Sequence, residues 1–178
     1  MKYPYYQVDV FSKVPFGGNQ LAVIFNAENL TSETMLKVAK EMNFSETSFV
    51  LPPKKQLTDF SVRIFSPEKE LPFAGHPILG TAHILRETGI VPKNNHLIKL
   101  EIKAGTITVM QSVHDNMLFM SQLLPEFKMP LNCGMDICNI LRIPQTAISP
   151  KTCPIQIVST GLPTLIVPLG SIYHLRNM

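Results

Sequence analysis

Apolar and polar residues alternate along most of this chain, and the period of the alternation changes at identifiable places. Val8, Val10 and Phe11 mark a strand-like opening segment. Phe16-Gly17-Gly18-Asn19 is a turn signal, and Leu21-Ala22-Val23-Ile24-Phe25 behind it reads as a buried strand. The period then lengthens. Leu36, Ala39 and Asn43 share one face, with Met35, Val38 and Met42 beside it. That spacing predicts an amphipathic helix of about three turns, capped by Thr31 or Ser32 with Glu33 in its first turn. A strand over 47–51 ends at Pro52-Pro53, and Phe60, Val62 and Ile64 alternate with Ser61, Arg63 and Phe65 as the next strand. From Leu97 the alternation returns through Ile98, Leu100 and Ile102, then Ile107 and Val109, with Gly105 as the hairpin tip. Asp115 and Asn116 turn the chain into a strand over 118–122.

Beyond this point the pattern lapses. Leu124-Pro125-Glu126-Phe127-Lys128-Met129-Pro130 carries two prolines and no period, so 124–132 reads as a linker. A short helix near 135–141 follows, then prolines at 144, 150 and 154, and two strands over 155–158 and 164–167. The division is a first half over 1–123, the linker, and the start of a second half over 133–178.

Composition narrows the class. The chain has 178 residues, 45% hydrophobic and 16% charged, enough apolar material for a core and too little charge for a disordered tail. The net charge of +3 is spread without a basic stripe, which gives no support for a nucleic-acid partner. The longest aliphatic or aromatic run, Leu21 to Phe25, falls far short of the roughly 20 residues of a membrane span, and the N-terminus lacks the apolar core of a signal peptide. The expected compartment is the cytoplasm. Cys133, Cys138 and Cys153 are an odd number with no adjacent histidine, so they read as reduced packing residues with no metal site.

The segment with most chemical content is Leu71-Pro72-Phe73-Ala74-Gly75-His76-Pro77 and the apolar run behind it. Pro77 suits the first position of a helix, which puts His76 at its cap. The run Ile78 to Leu85 is apolar on nearly every side, which predicts a helix buried all round, with His83 as a hydrogen-bonded core histidine. His76 and His83 are about 10.5 Å apart along such a helix, too far to share one metal. The uncapped N–H groups and positive end of this helix suit a carboxylate. His76, at its mouth, is either a ligand contact or a structural cap. Glu46 stands where a helix gives way to a strand, between Phe44 and Phe49. Such a carboxyl is either merely solvated or, walled by those rings, raised in pKa and able to exchange protons near neutrality. The Gly17-Gly18 and Gly75…Gly80 pairs match no nucleotide-binding fingerprint.

These pieces occur together in one family. Phe16-Gly17-Gly18-Asn19-Gln20-Leu21-Ala22-Val23, Asn43-Phe44-Ser45-Glu46-Thr47-Ser48-Phe49-Val50, Arg63-Ile64-Phe65-Ser66-Pro67 with Glu70 through His83, and Val158-Ser159-Thr160-Gly161-Leu162-Pro163 resemble the PhzF-like phenazine biosynthesis proteins. One departure is Gln20, where that family usually has proline. The resemblance implies an α+β, diaminopimelate epimerase-like fold: a curved, mostly antiparallel sheet wrapped around a central helix, repeated in two halves, with 77–87 as the central helix of the first. It also implies cofactor-independent isomerase chemistry on a small carboxylate-bearing substrate and a homodimer. Glu46 matches the family's acid/base and His76 its active-site histidine, with Asn19, Ser45, Gly75, Pro77 and Ile78 implied as substrate-binding. Ala74 lies about where related racemases carry a catalytic cysteine, which argues against a two-thiol mechanism. Members of the family continue well beyond the length of this chain, so the resemblance implies a second half that is cut short. The alternative expectation is a catalytically inactive remnant acting as a binding or dimerisation module.

Overall fold

The computed structural model describes residues 2–149 and 153–178. Met1 and the proline at 150 invoked above lie outside them. The chain divides into two compact units, Met1–Gln122 and Leu123–Met178.

In the first unit the strands are β1 (Tyr5–Val10), β2 (Asn19–Ile24), β3 (Glu46–Leu51), β4 (Phe60–Phe65), β5 (Glu70–Leu71), β6 (Leu97–Ile102), β7 (Gly105–Gln111) and β8 (Leu118–Met120). They form one sheet in the order β1-β2-β3-β4-β6-β7-β8, with β5 added to β4. Most neighbours are antiparallel, while β2–β3 and β4–β6 are parallel. The sheet curls around α2 (Gly75–Glu87), which packs against β1, β2, β3, β7 and β8. Ile78, Ala82 and Leu85 of α2 are fully buried, as are Leu21, Val23, Ile98 and Leu100 of the strands. This is the expected α+β architecture.

Helix α1 (Ser32–Met42) lies outside the curl. Thr31 caps it, its hydroxyl accepting from the Thr34 amide at 3.1 Å. Met35 and Ala39 pack with Ile24, Phe49 and Phe65, and Phe49 meets Phe65 edge-on at 5.5 Å. Phe49 therefore cannot wall Glu46: the two are three residues apart on one strand and lie on opposite faces.

Three more expectations need correction. The helix starts at Gly75, with Ala74 as cap, so His76 and Pro77 are its second and third residues. Pro77 is still tolerated, because none of the first four helical N–H groups has an intrahelical partner. The helix is not buried all round: Leu79 is half-buried while His83 and Glu87 are exposed, a stripe at fourfold spacing that the sheet leaves uncovered. His83 is a solvent-facing residue. The β6–β7 turn is Lys103-Ala104, and Gly105, at φ 148°, is the first strand residue after it, opposite Ile102.

In the second unit β9 (Glu126–Phe127), β10 (Gln156–Ser159) and β11 (Pro163–Ile166) form an antiparallel sheet, with β10 central. Thus the segment read as a linker carries a short strand paired with β10. Helix α3 (Gly134–Leu141) contributes Cys138 to a small core with Ile143 and Ala147, and α4 (Ile172–Arg176) follows. All three cysteines are free.

Candidate active site

Parallel pairing of β2 and β3 sets Leu21 opposite Glu46, so the residues just before each strand's core emerge side by side. Two backbone devices deliver them there. Asn43 ends α1 in the left-handed conformation, φ 53°, and turns the chain directly into β3. Gly18 brings the end of the β1–β2 loop against β1. A Cβ there would lie 2.3 Å from the Val10 carbonyl oxygen, so no other residue fits without moving backbone. The first turn of α2 then reaches the same point.

The side chains form a chain of contacts. The Ser45 hydroxyl donates to Asn19 Oδ1 at 2.8 Å. Asn19 Nδ2 lies 3.1 Å from His76 Nδ1. His76 Nε2 lies 3.2 Å from Glu46 Oε2. Ser45 and Asn19 are exposed, whereas His76 and Glu46 have side chains only 8% and 18% exposed. The 3.2 Å approach lacks hydrogen-bond alignment, and Nε2 and Oε2 are otherwise buried without a hydrogen-bond partner. Two polar atoms with open hydrogen-bonding capacity thus converge on one spot, an arrangement native proteins rarely keep without a reason.

Burial dominates the electrostatics. It raises the Glu46 carboxyl above its ordinary pKa, a shift that the adjacent Ser45 side chain partly offsets. It lowers the His76 imidazole, against a backbone hydrogen bond with Gln20 that favours the charged ring. Both shifts favour the neutral forms. A carboxyl raised in this way is a better-matched proton acceptor and donor near neutral pH than a free glutamate.

The remaining residues named from the sequence are close by but differ in what they offer. Gly75 opens α2, and a Cβ there would come within 3.1 Å of Met120 Cε. No side chain caps the helix, so the amides of Gly75, His76 and Ile78 point outward from its positive end. Pro77 is buried and has no N–H, and Ile78 is fully buried. Only the Ile78 amide, not its side chain, is available to a ligand. Sequence reasoning missed Phe11. It lies past the end of β1 at φ 67°, with its ring 75% exposed and tilted over the His76 imidazole at 6.5 Å. Its apolar pattern had suggested one more strand residue, and nothing local signals the left-handed turn. Among the described residues no group of three or more His, Cys, Asp or Glu side chains is placed to hold a metal.

Known proteins resemble this chain in sequence and in fold. A sequence profile of the family described as phenazine biosynthesis-like protein matches residues 8–178. Trans-2,3-dihydro-3-hydroxyanthranilate isomerase of Pseudomonas chlororaphis is 36% identical over 174 residues, covering 98% of this chain and 60% of the relative. A solved structure of a phenazine biosynthesis protein of the PhzF family from Bacillus anthracis superposes with a TM-score of 0.82 at 30% identity, covering 100% of this chain and 60% of the other. A hydroxyproline epimerase from Agrobacterium vitis is alike in fold alone, with a TM-score of 0.63 at 12% identity over 98% of this chain and 53% of its own. The chain thus spans 60% of the length of the first two relatives.

Proposed function

This chain belongs to the phenazine biosynthesis-like family, and on that premise we propose that it acts as an isomerase, moving a proton between carbons of a small carboxylate-bearing substrate. The observation that carries the reading is the convergence of Glu46 Oε2 and His76 Nε2 at 3.2 Å, both buried and both open to a further hydrogen bond. Glu46 as carboxylate removes a proton from one carbon. The electron pair left behind shifts along the adjacent unsaturation. Glu46, now a carboxylic acid, returns the proton to the carbon where that charge has moved. His76 donates a hydrogen bond to the oxygen on which negative charge develops. The amides at the start of α2 hold the substrate carboxylate. No electrons leave the substrate, so a carboxyl and an imidazole suffice and no cofactor is called for.

The name of the Pseudomonas relative makes trans-2,3-dihydro-3-hydroxyanthranilate the first compound to try. Incubation in D2O, with mass spectrometry of substrate and product, should show deuterium on carbon. Glu46→Gln should lower that incorporation about 10²- to 10⁴-fold, the usual contribution of a positioned acid/base. Equal incorporation by the variant and the wild type would remove Glu46 from the reaction.

A second reading, a non-catalytic binding or dimerisation module, is favoured by the exposed apolar residues Leu165, Ile166, Ile172 and Tyr173 of the second unit. It predicts no deuterium incorporation from any candidate, and a dimer in sedimentation that survives Glu46→Gln. A cytoplasmic homodimer remains part of the proposal.

A further inference from the structure

Val8 and Val10 turn their methyl groups from β1 toward Gly80 of α2. In a continued strand the next residue, Phe11, would face the other way, together with Asp9. It does not, because its backbone is left-handed, at φ 67°. For a bulky side chain that conformation is an outlier. The turn swings the ring back to the helix side, where it stands 6.5 Å from the His76 imidazole with 59° between the two planes. The loop behind it is fixed. The Ser12 hydroxyl donates to the Val14 carbonyl at 2.8 Å and accepts from the Val14 amide at 3.1 Å, and Asp9 Oδ2 accepts from the Phe16 amide at 2.7 Å. Strained residues persist where their surroundings hold them, and they gather at ligand clamps.

Most of the Phe11 surface is unused. The residue is 75% exposed, yet it adjoins His76, which is 8% exposed with Nε2 lacking a hydrogen-bond partner. At the same helix turn Met120 of β8 brings its methyl group to 3.1 Å from where a Cβ of Gly75 would lie. A carboxylate on the amides of Gly75, His76 and Ile78 would therefore have its charged end on the helix and its carbon frame beside apolar side chains. A phenyl face gains most from a second flat ring, offset or edge-on, and less from a puckered aliphatic one. We propose that Phe11 is a specificity-determining residue of this site, its ring the platform for a substrate whose carboxylate is attached to a flat, unsaturated ring. The functional meaning rests on the isomerase reading above. Removing a proton beside a double bond needs the C–H bond aligned with the unsaturation, and a platform that fixes the plane of the ring fixes that alignment.

The test is binding, which needs no turnover. The 15N-labelled chain is titrated with benzoate and with cyclohexanecarboxylate, followed by 1H–15N correlation spectra. The two probes share charge and carbon count and differ in flatness. Benzoate should shift the amides of Phe11 and of the first turn of α2, and should bind about 3- to 10-fold more tightly than cyclohexanecarboxylate. Phe11→Tyr should keep that preference. Phe11→Leu, which stays apolar without a flat face, should abolish it while still binding cyclohexanecarboxylate. Equal affinity of the wild type for both probes would overturn the proposal, as would benzoate shifts that miss Phe11 and α2, or a Phe11→Leu chain with its preference intact. If Phe11→Leu does not fold, the wild-type preference and the location of its shifts still decide. Deuterium incorporation is a separate readout. Its absence alongside a benzoate preference would remove the isomerase reading and leave the platform standing, and incorporation without the preference would do the reverse.

Discussion

Gly80 controls how closely α2 approaches the strands, and replacing it with alanine should loosen the first unit. A Cβ at Gly80 would lie 2.6 Å from Leu21 Cδ2, 2.7 Å from Val10 Cγ2 and 3.4 Å from Val8 Cγ1. Carbon atoms pack best at about 3.5–4.0 Å, so two contacts are too short by about 1 Å. Leu21 is fully buried and Val10 is 7% exposed, and the β-branched valine has little rotameric freedom to yield. Overpacking of this kind costs about 1–3 kcal/mol, and the severity here places it near 3. Alanine returns about 1 kcal/mol of helix propensity. The net loss is about 2 kcal/mol, equivalent to a roughly 30-fold fall in the protection of the slowest-exchanging α2 amides. Amide exchange is the appropriate assay because it reads α2 without assuming that both units unfold together. Val10→Ala in the same chain should recover about 1 kcal/mol of that loss as coupling, since it removes one of the two colliding methyl groups. His76 rides on the same helix, so the contact between Asn19 Nδ2 and His76 Nδ1 should weaken in parallel. A Gly80→Ala chain protected as well as the wild type, or better, would refute the packing argument.

Further outcomes follow from the charged groups. Arg63 grips Glu70 through two hydrogen bonds of 2.8 and 2.9 Å and holds its carboxyl below the ordinary value of 4.5. A carboxyl depressed on folding stabilises above its unfolded pKa, and that contribution disappears as pH falls through the folded one. Glu70→Gln should therefore cost about 1–2 kcal/mol at neutral pH and flatten the loss of stability below about pH 4.5, measured by urea unfolding across pH. Glu46 is shifted the other way: its folded carboxyl binds protons more tightly than the unfolded one, so stability falls as pH rises through that window. Glu46→Gln should be at least as stable as the wild type near pH 8 while losing activity, and a lower melting temperature there would contradict the burial argument. Arg86 is 5% exposed, donates to the Asn95 carbonyl at 2.6 Å, and leaves Nε and Nη2 without a hydrogen-bond partner. Asn95 is exposed and its carbonyl can be rehydrated. Arg86→Met should consequently be neutral or stabilising by about 1 kcal/mol, and a loss above about 2 kcal/mol in urea would show that the guanidinium is needed.

Periodicity was enough to read most of the strands, both long helices and the apolar residues of the core, because spacings of two and of three to four residues reflect which face each element buries. The motifs around Asn19, Glu46 and His76 were equally legible, and their likeness to one family pointed to proton-transfer chemistry. What local spacing could not carry is the pairing of β2 with β3 in parallel, with a helix between them. That pairing brings Asn19 to Ser45 across 26 positions and to His76 across 57. Nor could it show that the sheet leaves the His83 stripe of α2 uncovered, that Phe49 and Glu46 face opposite ways, or that Phe11 bends over His76.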